Sequence, residues 1–332
     1  MQLVCPAGNL PALQAAVNAG ANAVYAGFRD QTNARAFPGL NFSDQELQAG
    51  IRYAHAKGAK VYLALNTYPD SARLPMWQAA VDRAAAFGCD AIIAAEIAIL
   101  AYAARRYPDL PRHLSVQGSA TSEPALRFAY ERFGISRAVL PRVLSIQQVE
   151  RLCQRSPVAI EVFAFGSLCI MVEGRCQLSS YVTGASPNRH GVCSPARFVR
   201  WDELDDGSRT AHLNDVLIDR FEPSEPAGYP TVCKGRFEVG GETFHALEEP
   251  TSLNTMELLP RLARAGVAAL KIEGRQRGVA YVGAVTRTWR AALDRHAAAP
   301  DAWTVDPQWQ RSLSSQAEGH QTTLGPYHRS WH

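Results

Sequence analysis

The stretch SDQELQAGIRYAHAKGAKVYLAL, residues 43–65, decides how this chain folds. It opens with a capping-box pattern, in which Ser43 is followed three residues later by Glu46, and its first part ends at Gly58. These are the start and stop signals of an α-helix. A short β-rich run, Lys60–Leu65, comes directly after the glycine. The stretch therefore predicts one helix followed by one strand.

The same alternation recurs along most of the chain. The segments LPMWQAAVDRAAAFG and EPALRFAYERFG repeat the helical form and its terminal glycine. Seven candidate strands precede residue 167, namely Gln2–Cys5, Ala23–Ala26, Lys60–Leu65, Ala91–Ala94, Arg112–Val116, Ala138–Leu140 and Ala159–Phe165. An eighth, Ala268–Ile272, lies between the helical segments NTMELLPRLARAG and RGVAYVGAVTRTWRAAL.

Strands that alternate with helices pair in parallel through right-handed crossovers. Eight such units predict an α/β fold of the (β/α)8 TIM-barrel type. A doubly wound open sheet is the competing architecture, but no GxGxxG follows the first strand, which weakens that alternative.

Four parts are expected along the chain. Residues 1–166 hold the first seven β/α units, and residues 251–296 hold the last unit, which closes the barrel. Between them, residues 167–250 form a β-rich insertion with hairpin turns at Asp205–Gly207 and Gly240–Gly241. Because this insertion follows strand seven, it should emerge at the C-terminal mouth of the barrel, where active sites of this fold lie. Residues 297–332 form an extension that docks either on the barrel or on a partner, since it carries the aromatic residues Trp303, Trp309, Tyr327 and Trp331.

Composition narrows the class of protein. The formal net charge of +3 gives no reason to expect strong non-specific binding to nucleic acid. The N-terminus has no pattern of a signal peptide, and the longest apolar stretch, residues 91–104, is interrupted by Glu96. We therefore expect a soluble cytoplasmic protein without a transmembrane segment. In that compartment seven cysteines point to metal or redox chemistry, and not to disulfides.

Four of the seven cysteines, Cys169, Cys176, Cys193 and Cys233, fall in the insertion, separated by six, sixteen and thirty-nine residues. Structural zinc sites usually include a pair of ligands only about 2–4 residues apart, which this set lacks. Iron–sulfur clusters accept wider spacing, often among glycines such as Gly166, Gly174 and Gly191. On spacing alone, a cluster, a zinc ion and simply buried thiols all remain open. The other three cysteines, Cys5, Cys89 and Cys153, are expected to serve only in packing.

The run EVFAFGSLCIMVEGRCQLS, from Glu161 to Ser179, resembles the signature of the U32 peptidase family. The similarity extends from CPAGN at residues 5–9 to KIEGR at residues 271–275. It implies a [4Fe–4S] cluster whose ligands are Cys169, Cys176, Cys193 and Cys233. The peptidase label itself has little support, because the sequence has neither HExxH nor GxSxG.

Within the family, the chain length and the late cysteine at position 233 are similar to the UbiU-like branch. That resemblance implies a subunit of an O2-independent hydroxylase of ubiquinone precursors, paired as a heterodimer with a homologous UbiV-like subunit and using prephenate as the oxygen donor. A lipid-carrier protein should present the apolar precursor, because no membrane anchor is visible. Two alternatives stay open: a hydroxylase of a tRNA or rRNA base, and a non-catalytic cluster subunit of a hydroxylase complex.

Substrate-binding residues should lie just after the barrel strands. Arginine binds carboxylates through paired hydrogen bonds, so Arg142 and Arg275 are the first candidates for a dicarboxylate donor, with Gln117 and Asn66 beside them. Glu96 and Glu273 are the candidates for catalytic proton transfer. Each of these residues could equally well cap a helix or form a salt bridge at the mouth. Arg29 and Arg35, in the loop after strand two, are further polar residues expected at the mouth. Glu161, inside strand seven, is expected to be a buried partner for a barrel arginine. His190 is expected to be a loop histidine and not a fifth ligand.

Overall fold

The computed structural model of this protein describes residues 1–36, 38–169, 171, 175–187 and 192–328. Within them, eight parallel strands form a closed barrel: β1 (Gln2–Pro6), β2 (Ala23–Ala26), β3 (Lys60–Leu65), β4 (Ala91–Ala94), β5 (Arg112–Leu114), β6 (Arg137–Val139), β7 (Ala159–Ser167) and, later in the chain, β14 (Ala269–Ile272). Strand β14 closes the barrel because it pairs with both neighbours, Ala269 lying opposite Gln2 on β1 and Glu161 on β7. The predicted (β/α)8 fold is confirmed.

Helices α1–α6 each follow the strand of the same number and surround the barrel: Leu10–Asn18, Asp44–Ala56, Leu74–Phe87, Ile97–Arg106, Glu123–Phe133 and Ile146–Arg155. The capping box predicted at Ser43 is present, since its side chain accepts from the backbone N–H of Glu46 while the Glu46 carboxylate accepts from that of Ser43. Gly88 and Gly134 end α3 and α5 in the left-handed conformation that glycine adopts without strain. Helix α7 (Gln177–Thr183) lies in the insertion, and α8 (Leu259–Arg264) and α9 (Val279–Ala298) flank β14. No helix among the described residues is long and apolar enough to span a lipid bilayer.

The interior of the barrel contains a charged cluster as well as apolar side chains. Glu161 is almost fully buried, and its two carboxylate oxygens accept hydrogen bonds from Arg137 Nη1 at 3.0 Å and Lys271 Nζ at 2.8 Å. The Lys271 ammonium also lies 3.8 Å from the centre of the Tyr25 ring. His113 is buried beside this cluster, and burial lowers its pKa to about 3, so it is neutral. The interpretation of Glu161 as a buried partner for a barrel arginine is confirmed.

The insertion between β7 and β14 is built mainly from antiparallel strands. Strands β8 (Val199–Glu203), β9 (Arg209–Leu213) and β10 (Val216–Phe221) form one small sheet, and β11 (Phe237–Val239) pairs with β12 (Glu242–Phe244). Both predicted hairpins are therefore present. Strand β13 (Ser252–Asn254) pairs antiparallel with the end of β7, and it brings the chain from the insertion back to the barrel.

The C-terminal extension docks on the barrel. Its helix α10 (Pro307–Ser314) is followed by β15 (Thr322–Thr323), which pairs in parallel with β13. Leu313 and Tyr327 are buried in the main core, and Trp303 stacks on Trp309 with 6.1 Å between ring centres. Of the two possibilities left open by the sequence, docking on the barrel is the one observed. Trp331 lies outside the described residues.

Candidate metal centre at the barrel mouth

The four insertion cysteines come from four short segments, and hydrogen bonds tie three of these segments together. Cys169 follows the end of β7, and Cys176 is the N-cap of α7, its sulfur accepting from the backbone N–H of Ser179 at 3.4 Å. The Ser179 hydroxyl in turn donates to the carbonyl oxygen of Cys193. The neighbouring Ser194 hydroxyl donates to the carbonyl oxygen of Pro230 at 2.6 Å, three residues before Cys233. These bonds connect the segments of Cys176, Cys193 and Cys233.

The thiols influence one another's pKa values. Burial raises the pKa of the Cys193 thiol although the residue as a whole is exposed, and Cys169 and Cys176 raise it further, while Arg35 lowers it. Burial raises the pKa of Cys233 to about 12, with contributions from Cys193 and Cys169. Interactions between charges weaken rapidly with distance and screening. Cys193 therefore lies within electrostatic range of Cys169 and Cys176, and Cys233 lies within range of Cys193 and Cys169.

The described residues do not present an assembled site for a single metal ion. Thiolates bound to one tetrahedral zinc at a Zn–S distance near 2.3 Å stand about 3.8 Å apart. Among the described residues, no three side chains of His, Cys, Asp or Glu are close enough to hold one metal ion. In an iron–sulfur cluster each thiolate binds its own iron, so the ligands lie further apart. The residues available to hold such a group are Cys169, Cys176, Cys193 and Cys233.

The other cysteines belong to the packed interior. Cys5 and Cys89 are buried, and Cys153 is partly buried on α6. All seven cysteines lie in the described part of the chain. Three residues expected beside the ligands, Gly174, His190 and Gly191, fall outside the described residues.

Glu318, in the C-terminal extension, links both ends of the cysteine-bearing insertion. Its carboxylate accepts from the Ser167 hydroxyl, two residues before Cys169, and from the Lys234 ammonium, directly after Cys233. Arg277 lies at 3.5 Å from the same carboxylate. The extension therefore fixes two ligand segments relative to the barrel.

Glu273 is a buried carboxylate at the mouth. Its Oε1 lies 3.6 Å from Arg35 Nη2, and its Oε2 has no hydrogen-bond partner among the described residues. Burial alone would raise the pKa of Glu273, but Arg35, Arg142 and Arg277 outweigh burial and lower it. Glu273 is therefore ionised, and it presents one acceptor oxygen for which the described residues supply no donor.

Arg275 is held inside the barrel wall. It is 4% exposed, and its Nη1 donates to the side-chain oxygen of Asn33 at 2.9 Å. A Cβ atom on Gly8 would stand 1.9 Å from the Arg275 carbonyl oxygen, so only glycine fits there. This contact explains why the CPAGN and KIEGR segments, far apart in sequence, lie side by side. Burial lowers the pKa of Arg275 to about 10, so the guanidinium is still charged at neutral pH.

Arg142 is also buried, and it contacts the segment that leads to Cys169. Its Nη1 donates to the carbonyl oxygen of Ser167, and its guanidinium carbon lies 4.2 Å from the centre of the Phe163 ring. Arg142 therefore anchors the end of β7, two residues before Cys169.

The remaining candidates serve partly as structural links. Asn66 accepts from the backbone N–H of Ala34 at 3.0 Å, and Glu96 is the N-cap of α4, accepting from the N–H of Ala98 at 3.2 Å. Gln117 is 5% exposed, and its Oε1 has no partner among the described residues. An unpaired buried acceptor costs about 1–3 kcal/mol, so a ligand that donates a hydrogen bond would be favoured at Gln117 and at Glu273.

The sequence ranked Arg35 behind Arg142 and Arg275, yet Arg35 is the arginine that lies 3.6 Å from Glu273 and also lowers the pKa of Cys193. Its position just after β2 is the signal that could have ranked it higher. Arg29, by contrast, pairs with Glu46 at 2.7 Å on the surface. Glu318 was missed altogether, because no motif marks it and its partners lie far away in the sequence.

The chain matches a known protein family over nearly its whole length. The profile described as peptidase family U32 matches residues 8–329. The chain belongs to peptidase family U32. This result bears out the resemblance carried by the run Glu161–Ser179.

Named relatives within the U32 family include hydroxylation proteins. The chain is 32% identical over 321 residues to tRNA hydroxylation protein P of Escherichia coli (strain K12), covering 90% of this chain and 68% of that protein. It is 27% identical over 297 residues to the 23S rRNA 5-hydroxycytidine C2501 synthase of the same organism, covering 89% of this chain and 39% of that protein. The solved structure of the U32 peptidase Mk0906 matches with a TM-score of 0.50 and 11% identity, over 84% of this chain and 95% of that one. This last match supports the fold alone.

Proposed function

We propose that this U32 protein is the iron–sulfur subunit of an O2-independent hydroxylase that acts on an aromatic ring, and that the ring belongs to a ubiquinone precursor. Hydroxylation in general is supported by the names of the two relatives given above, a tRNA hydroxylation protein and an rRNA hydroxycytidine synthase. The ubiquinone precursor is supported by the resemblance to the UbiU-like branch.

The observation that carries the proposal is the mutual electrostatic influence of the insertion thiols, with Arg35 acting on Cys193 and on Glu273. Cys169, Cys176, Cys193 and Cys233 would hold a [4Fe–4S] cluster, which when bound supplies one-electron transfer. Arg35 lies 3.6 Å from Glu273 and lowers the pKa of Cys193, so its guanidinium would favour a negatively charged group at this end of the barrel.

Prephenate is the proposed oxygen donor. Its two carboxylates suit guanidinium groups. Two of these, Arg35 and Arg142, lie near enough to Glu273 at the mouth to lower its pKa. In the overall reaction a ring C–H becomes C–OH, the donor's C–OH becomes C–H, and both atoms and electrons balance. The unpaired oxygens of Gln117 and Glu273 would accept hydrogen bonds from the hydroxyl groups of donor and acceptor.

Two proteins complete the proposed reaction. A homologous UbiV-like subunit would form a heterodimer with this chain, and a lipid-carrier protein would deliver the precursor, whose tail is insoluble in water.

A second candidate is supported by the names of the relatives. Two of them act on RNA according to those names, one on tRNA and the other on 23S rRNA. The acceptor ring would then be a nucleobase, and the same cysteines and arginines would serve the same chemistry.

The first experiment concerns the cluster. Anaerobic purification followed by iron and sulfide analysis should give a coloured protein with iron and acid-labile sulfide in equal amounts. A colourless protein that holds stoichiometric zinc would contradict the assignment.

The second experiment concerns the substrate. The chain and its homologous subunit are incubated anaerobically with prephenate labelled with oxygen-18 in its hydroxyl group, and with either a prenylated phenol or total tRNA and rRNA fragments. Mass spectrometry should find the label in the phenol. Label found only in RNA would establish the second candidate and reject the first.

A pair of variants then assigns the chemistry to this subunit. Arg35→Ala should abolish label transfer while iron content is kept, whereas Arg29→Ala, at a surface arginine of the same loop, should have no effect. Full transfer in both variants would move the chemistry to the partner, and this chain would be a non-catalytic cluster subunit.

A further inference from the structure

A cavity of about 340 Å³ lies between helices α4 and α5, beside the mouth. Most of its wall is apolar and includes Ile97, Leu100, Leu114, Phe128 and Phe133. Ile97 and Phe128 are more than half exposed to solvent. Exposed apolar side chains that line a cavity are a common mark of a binding site for an apolar ligand.

The other end of the cavity is polar and leads to the metal centre. Tyr68, Glu96 and Arg175 line it there. Arg175 Nη2 donates to the Tyr68 hydroxyl at 2.9 Å, and that hydroxyl donates to the carbonyl oxygen of Gln117 at 2.8 Å. Arg175 directly precedes Cys176. The cavity therefore changes from apolar to polar as it approaches the cysteines.

We propose that this cavity binds the apolar isoprenoid tail of the substrate, with the ring at the polar end beside Cys176. The inference rests on the proposed function, and it identifies where the tail of that substrate lies. At about 340 Å³ the cavity is at the small end of the range of ligand pockets, so it suits a short apolar segment such as two isoprene units. The remainder of a longer tail would leave between α4 and α5, past Ile97 and Phe128.

Charge also favours an apolar ligand at this place. The wall away from the mouth contains no lysine or arginine among the described lining residues, and Glu96 is the acidic group at the polar end. A polynucleotide needs cations along its path. A phenol with an apolar tail matches both ends of the cavity.

Blocking the cavity tests the proposal. Ala125 lines it from the exposed side of α5, so Ala125→Trp would fill the cavity without disturbing the core. Ala298, an exposed alanine at the end of α9 and away from the cavity, provides the matched control Ala298→Trp. Binding of 2-geranylphenol and of phenol to the anaerobically purified protein is measured by equilibrium dialysis.

The native protein should bind 2-geranylphenol more tightly than phenol. Ala125→Trp should weaken binding of 2-geranylphenol at least about tenfold, equivalent to 1.4 kcal/mol, and leave phenol unchanged. Phe128→Gln, which removes part of the apolar wall, should shift the same affinity in the same direction. Ala298→Trp should change neither affinity.

Equal affinity of Ala125→Trp and Ala298→Trp for 2-geranylphenol would overturn the tail site. If the native protein nevertheless hydroxylated 2-geranylphenol, the proposed function would stand without it. Loss of binding to the homologous subunit in Ala125→Trp, with ligand affinity intact, would show that this face is a protein interface and would also overturn the proposal.

Discussion

Replacing Glu161 by glutamine tests the charged cluster inside the barrel. The carboxylate of Glu161 is 1% exposed and neutralises two buried cations, Arg137 at 3.0 Å and Lys271 at 2.8 Å. Glutamine has nearly the same shape, so Glu161→Gln removes the charge while leaving the packing in place. The variant would leave two positive groups without a counter-ion inside the protein.

The expected loss follows from that burial. Removing one partner of a buried ion pair typically destabilises a protein by about 3–5 kcal/mol, because the remaining charge is uncompensated. With an unfolding entropy of about 2.1 cal/mol/K per residue, a chain of 332 residues has a total near 0.7 kcal/mol/K. The melting temperature should therefore fall by about 4–7 °C.

The assay is thermal unfolding of the anaerobically purified protein, followed by far-UV circular dichroism. The control is Glu150→Gln, which breaks the bidentate pair between Glu150 and Arg261, also at 3.0 Å. Both of those side chains are about one-third exposed, so the control should lose at most about 1 kcal/mol. Equal losses in Glu161→Gln and Glu150→Gln would refute the reasoning, since burial is the main difference between the two pairs.

Three further predictions concern acid stability and the metal centre. Because burial lowers the pKa of His113 to about 3 whereas the unfolded chain titrates near 6.5, the unfolded state takes up a proton first as the pH falls, and about 2 kcal/mol of stability is lost by pH 5. His113→Phe should therefore show a smaller drop in melting temperature between pH 7.5 and pH 5 than the native protein, and an unchanged drop would exclude this histidine as the cause. Cys176→Ala should lose iron, sulfide and visible absorption while Cys153→Ala keeps them; a full spectrum in Cys176→Ala would remove that residue from the ligand set. Glu318→Gln should release iron to a chelator faster than the native protein, because Lys234 loses its anionic partner, and identical release rates would show that the extension does not hold the ligand segments.

Much of the barrel could be predicted because its signals are local. Strands β2, β3 and β4 have the predicted bounds, since each is a short apolar run that follows the end of a helix. Strand β5 ends at Leu114, two residues earlier than predicted, because the Ser115 side chain accepts from the backbone N–H of Gln117 and begins a 3-10 turn. This capping bond competes with strand formation. Because Val116 is apolar and β-branched, the sequence pattern predicts a strand there and gives no sign of the turn.

Elements that depend on distant partners could not be predicted. Strand β7 extends two residues beyond its predicted end because β13, almost ninety residues later in the chain, pairs with Ser167 and Gly166. Strands β13 and β15 are only three and two residues long, too short for a periodic pattern to indicate them. Pairing between residues far apart in sequence leaves no local trace.

For the candidate site, the positions of the residues could be predicted, but their roles could not. Residues that follow a strand, such as Gln117 and Glu273, could be identified from the fold alone, because the mouth of a barrel collects them. What each residue does there depends on its contacts: Glu96 caps α4, whereas Glu273 keeps an unpaired oxygen. Those contacts arise from loops and from the C-terminal extension, whose placement no spacing rule determines.

The closure of the barrel between β1 and β14 has a consequence for biosynthesis. Residues 2–4 must wait for residues 269–271 before the ring of strands is complete. At about 5–20 residues per second, translation from Cys169 to Lys271 takes roughly 5–20 s. During that interval the nascent polypeptide presents its thiols on an unfinished sheet, exposed to oxidants and to stray metal ions. The four insertion cysteines are therefore synthesised well before the strand that closes the barrel around their neighbours.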